Sequence, residues 1–159
     1  MTTSAVLLQD FDIEISNTRR TLERVPEGEN DFKCHDKSMP LFGAYIIEDE
    51  GMDMAAPTHP HIPLVFESRD ACLRQFDEAA AKCRAALASA SDEALAQPWR
   101  FRFGEHLISN VPRSLTFRLM CFNHLIHHTA QLGVYLRLND IPVPALYGPS
   151  ADEQWNPGS

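Results

Sequence analysis

The chain has 159 residues, 44% hydrophobic and 23% charged, with a formal net charge of −8, the size and balance of one globular domain. That charge argues against nucleic-acid binding, because no basic cluster longer than Arg19-Arg20 supplies a footprint for phosphates. No apolar run approaches the roughly 18 residues of a membrane span, and residues 1–10 lack the basic start and long apolar stretch of a signal peptide. No membrane association and cytoplasmic residence are therefore expected.

Leu7, Phe11, Ile15, Thr18, Leu22 and Val25 recur at steps of three or four and predict a first helix, which Pro26, Gly28 and Asn30 end. Residues 31–38 read as a polar connector, and Pro40 suits the first turn of a second helix. That helix is short, since the apolar run 41–47 meets Glu48-Asp49-Glu50-Gly51 at once. Ten helical residues span only about 15 Å. Pro57, Pro60 and Pro63 make 52–63 a loop or extended connector, with His59 and His61 as solvated side chains.

Ser68 caps a third helix with Asp70 in its first turn, and Leu73, Phe76, Ala80, Cys83 and Leu87 form its seam. Ser91-Asp92-Glu93 reads as another N-cap, opening a short turn that Pro98 ends. In Trp99-Arg100-Phe101-Arg102-Phe103-Gly104 aromatics alternate with arginines, the period of a strand in a small hairpin turning at Gly104. The arginines are expected to snorkel from a half-buried strand. The last helix starts between residues 110 and 114 and runs to about Asn139, where a left-handed C-cap is expected before Pro142. Residues 142–159 are expected to lie over the helices without regular structure. The predicted fold class is all-α, a helical bundle with one small β-hairpin-like excursion. One domain covers residues 1–153, and 154–159 form a flexible tail.

The four cysteines, Cys34, Cys72, Cys83 and Cys121, show no C-x-x-C spacing. Cys83 and Cys121 fall on apolar helix faces and read as reduced, structural thiols.

Three of the seven histidines fall within five residues, in Asn123-His124-Leu125-Ile126-His127-His128. On an ideal wheel with His124 at 0°, Phe117 and Tyr135 lie at about 20°, Cys121 at about 60°, Leu132 at about 80°, Leu125 at about 100° and Met120 at about −40°. Their mean direction is about 40°, where His128 sits, while His127 lies at about −60° on the flank beside Gln131 and Asn123. The spacing therefore selects His124 and His128 as a core-facing pair one turn apart, able to converge on one metal ion. The alternative is a pair of core histidines satisfied by neighbouring carbonyls or a carboxylate. The H-E-x-x-H peptidase signature is absent, because Leu125 stands where its glutamate would be.

The run 113–153, with Asn123-His124-Leu125-Ile126-His127-His128, Gln131-Leu132, Tyr135-Leu136 and Pro142-Val143-Pro144-Ala145-Leu146-Tyr147-Gly148-Pro149-Ser150-Ala151-Asp152-Glu153, resembles the DinB-like (DinB/YfiT) proteins. Leu22-Glu23-Arg24-Val25-Pro26, His35-Asp36-Lys37-Ser38-Met39 and Pro98-Trp99 match the same pattern. The resemblance implies a DinB-like four-helix bundle, often a homodimer, holding a divalent metal, commonly nickel or zinc, with three histidines. Two of these map onto His124 and His128. The third comes from the second helix, about eight residues after the Lys-Ser-Met motif, where this chain has none: no histidine lies between His35 and His59. Characterised relatives are metal-dependent hydrolases or thiol transferases. The chain departs from the pattern by an apparent internal deletion that shortens the second helix and leaves a strip of apolar core to be covered by a second subunit or a rearranged 42–67 segment. With its third position taken by water, a substrate group or a carboxylate such as Glu48 or Asp49, the pair would serve a metal-dependent enzyme. The alternative is a metal-free helical dimer that acts as an interaction protein without catalysis.

Overall fold

The computed structural model describes residues 1–27, 43–57 and 67–154. Helix α1 (Thr3–Leu22) starts where Thr2 accepts a hydrogen bond from the Ala5 amide, satisfying one of the orphan donors of the first turn. α2 (Gly43–Glu48) is followed by strand β1 (Gly51–Asp53), then α3 (Arg69–Ser89) and α4 (Asp92–Ala96), capped by Ser68 and Ser91 as the sequence predicts. β2 (Pro98–Phe103) and β3 (His106–Pro112) form the expected hairpin, and Gly104 takes φ 55° at its turn, a conformation that costs glycine nothing. The last helix begins at once with α5 (Arg113–Phe117), passes through a π-helical turn (Arg118–Asn123) and continues as α6 (His124–Leu138). The left-handed residue at its end is Asp140, φ 57°, one position beyond the expected Asn139.

The all-α four-helix bundle is not what forms. The fold is mixed: β1, β2 and β3 make a three-stranded sheet in that order, with β1 parallel and β3 antiparallel to β2. Gly51 makes the parallel pairing possible, because a Cβ there would stand 2.4 Å from the Arg100 carbonyl oxygen. Asp53 ties the strand to the hairpin by accepting from the Gly104 amide at 2.9 Å. Met52 and Asp53, expected as the start of a 52–63 connector, thus become part of the sheet. Among the described residues α2 has six, which span about 9 Å.

The core is shared by helices and sheet: Phe11, Ile46, Cys83, Leu87, Leu95, Trp99, Phe117 and Phe122 are buried in one cluster. Phe117 and Phe122 meet edge-on with centroids 5.1 Å apart, and Phe11 lies 6.3 and 6.2 Å from them, distances at which tilted rings attract. Side-chain pairs fix the order of helices around this cluster. Asp12–Arg84 and Arg19–Asp77 run α1 against α3 in opposite directions, while Asp10–Arg118 and Thr18–Thr129 run α1 alongside the last helix in the same direction. Cys83 and Cys121 are buried free thiols, and Cys72 is half-buried and free. Contact with Cys83, and then burial, push the Cys121 thiol well above its ordinary range, as befits a packing residue. Cys34 and residues 154–159 of the expected tail, apart from Gln154, lie outside the described residues. Among the described residues no helix is long and apolar enough to cross a membrane.

Residues 139–154, after α6, lack regular structure, but charge holds them down. Arg20 donates to the Ala145 carbonyl at 2.7 Å and to both Glu153 oxygens, while Arg137 pairs with Asp152. The Arg137 hydrogen bond and then the Val143 amide hold the Asp152 carboxyl below its ordinary range, and the Ala145 amide leads the same effect on Glu153. Carboxylates lowered by folding stabilise above their unfolded pKa, and that contribution disappears as pH falls through the lowered values. We predict that acidification below the ordinary carboxylate range detaches residues 142–153, shifting the Tyr147 ring and Ala145 amide NMR signals. Asp152→Asn with Glu153→Gln should produce the same shifts at neutral pH. Unchanged signals in that double variant would show that the carboxylates do not hold the segment.

Candidate metal centre

His124 opens α6 directly after the π turn, and His128 follows one turn later. Their Nε2 atoms stand 2.9 Å apart. Gln131, three residues beyond His128 and hence on the adjoining part of the helix surface, places Oε1 2.9 Å from His128 Nδ1. With Nδ1–H donating to that oxygen, His128 Nε2 carries a lone pair and accepts from His124 Nε2–H. The Gln131 contact is of the kind that orients a metal-binding imidazole by holding its other nitrogen. Sequence reasoning set Gln131 beside His127; the structure gives it to His128.

The spacing of the two nitrogens can be compared with what an ion requires. Nitrogens about 2.1 Å from a shared ion lie about 3.0 Å apart at a right angle and about 3.4 Å apart in a tetrahedron. The observed 2.9 Å is close to the first, so the pair is spaced for two adjacent positions of an octahedral-type site. Loading an ion requires a proton shift from His124 Nε2 to Nδ1 and a turn of both rings, whose Nε2 atoms face each other in the hydrogen bond. Burial, followed by the adjoining His128 and His127, holds the His124 imidazole below its ordinary range, which favours the neutral form that a metal needs.

The pair does not sit where the wheel puts it. Both histidines are half-buried, and His127 is exposed with its ring 5.2 Å from that of His128. The cause is the π turn, which takes about one residue more than an α turn and so rotates everything after it by about 100°. Before the reset Phe117 and Cys121 are buried; after it Thr129 and Leu136 are, at about 140° and 120° on the uncorrected wheel. His128 at about 40° thus lies on the shoulder of the core face instead of its centre. Tyr135, counted by the wheel as core, is 56% exposed.

No family model matches the chain, and no curated protein does. The metal reading therefore rests on the residues themselves. Among the described residues no third histidine, cysteine or carboxylate joins the pair in a cluster able to hold an ion. The structure does not bring Glu48 or Asp49 to it; the Asp49 carbonyl instead accepts from Arg113 at 2.9 Å. His35, His59 and His61 lie outside the described residues. Two surface clefts, of about 350 Å³ and 430 Å³, are lined by Thr21, Thr129 and Val143 and by Glu50, Arg100 and Arg113, respectively, and the histidines line neither.

Proposed function

We propose that the chain is a cytoplasmic divalent-metal-binding protein in which His124 and His128 supply two imidazole ligands, with nickel or zinc as the ion. The observation that carries this reading is the 2.9 Å approach of the two Nε2 atoms, with Gln131 on the far nitrogen of His128. The resemblance of residues 113–153 to DinB-like proteins supports it and adds the reaction class, a metal-dependent hydrolase or thiol transferase. An ion with open positions supplies Lewis-acid chemistry and a water acidified toward neutral pH. His124 and His128 anchor the ion, and Gln131 fixes the tautomer and direction of His128.

A second reading follows from the same contact. Each ring already satisfies the other through the Nε2–Nε2 hydrogen bond, so the pair is chemically complete without metal, and the chain would then serve as an interaction protein. Metal analysis of purified protein separates the two. Nickel or zinc uptake should be stoichiometric, should vanish in His128→Ala, and should weaken about 10- to 100-fold in Gln131→Leu. Wild-type protein that retains no ion after equilibration with nickel and zinc would leave the second reading.

A further inference from the structure

From residue 119 through residue 136, eighteen consecutive positions, the chain contains no Asp, Glu, Lys or Arg, although 23% of all residues are charged. The stretch is not wholly buried. Leu119, Val134 and Tyr135 are at least half exposed, and His124 and His128 are half-buried between them. Interface centres are depleted of charge in this way. A molecule of net charge −8 meets a copy of itself with less repulsion through a helix stretch that adds no charge of its own.

The histidine pair lies near the middle of this stretch. Residue 126, between its two members, is seven positions after Leu119 and eight and nine before Val134 and Tyr135. Tyr135 lies at about 20° on the wheel, on the histidines' side of α6, so a two-fold axis crossing the helix near that point sets Leu119 of one copy close to Tyr135 of the other, an isologous contact. It also brings two Nε2 pairs to the axis. Two pairs make four imidazole donors, the number that closes a tetrahedral site or fills the equator of an octahedral one.

We infer that the metal centre is shared: one ion on the two-fold axis of a homodimer, held by His124 and His128 of both copies. The inference rests on the metal-binding reading above and gives it the partner that completes the ligand set. Ion and dimer are then linked, because each copy alone offers a weak two-nitrogen chelate, and dimerisation doubles the donors.

The test uses the full chain stripped with EDTA and then titrated with nickel chloride, with molar mass followed by light scattering and bound nickel by elemental analysis. Uptake should saturate at half an ion per chain as the mass doubles, and EDTA should reverse both. His124→Ala and His128→Ala should stay monomeric with nickel present. Leu119→Glu, which leaves the ligands intact, should weaken nickel binding at least tenfold by opposing dimerisation. One ion per chain at unchanged mass would overturn the shared site while leaving metal binding in place. A mass unaffected by nickel, EDTA and His128→Ala would also overturn it. No nickel uptake would overturn the shared site and the metal reading together.

Discussion

Replacing Trp99 with alanine should cost about 3–5 kcal/mol, a large part of the 5–15 kcal/mol by which a typical domain is stable. Trp99 is the largest fully buried side chain, joined to Leu95, Leu87 and Phe11 in the core and stacked on Phe101 at 6.0 Å. It is also the point where the sheet enters the helical core, so its loss loosens both. Trp99→Phe should be far milder, about 1.5 kcal/mol or less. Among the described residues the buried indole Nε1 has no hydrogen-bond partner, and an unsatisfied donor costs about 1–3 kcal/mol that phenylalanine avoids. Urea unfolding followed by circular dichroism measures both. If Trp99→Phe were as damaging as Trp99→Ala, the indole nitrogen would have to be making an interaction that stabilises the fold.

The second large effect is expected at Gly43. A Cβ built there stands 2.3 Å from Cys83 Sγ, 2.9 Å from the Phe117 ring and 3.1 Å from Cys121 Sγ. All three neighbours are core side chains, and none can swing into solvent. Gly43→Ala should therefore destabilise by about 1–3 kcal/mol through overpacking, despite the better helix propensity of alanine. Cys83→Ala removes the nearest atom and should rescue part of the loss when combined with Gly43→Ala. The coupling measured in a double-mutant cycle should be about 1 kcal/mol or more in the rescuing direction. Additive losses would mean that the backbone at Gly43, and not the Cys83 sulfur, sets the limit.

The local features of this fold are legible in its sequence because their causes are local. Ser68 and Ser91 cap helices through hydrogen bonds to amides three residues on, and Gly104 turns a hairpin whose strands alternate from Trp99. β1 was not legible. It is three residues long, its pairing with Arg100–Arg102 spans 49 positions (100 − 51), and Gly51-Met52-Asp53 has no alternation to announce a strand. What permits it is a missing Cβ at Gly51, a signal equally consistent with a loop. The histidine pair was legible as a pair, since i and i+4 share one side of any helix. Its setting was not, because a wheel assumes 100° per residue throughout and nothing in Arg118-Leu119-Met120-Cys121-Phe122-Asn123 marks the turn that breaks the count. Gln131 was visible in the sequence, but on that wheel it belonged to the wrong histidine.

The π turn between Arg118 and Asn123 has a consequence for what this helix can offer to solution. Had the helix run on in α register, seating Phe117 and Cys121 in the core would have carried His128 in with them. Thr129 and Leu136 would then have been left about 90° away, at the edge. One extra residue in one turn separates those demands. The first half stays anchored, Thr129 and Leu136 keep their places inside, and the imidazoles are turned outward far enough to be reached by an ion or by another molecule.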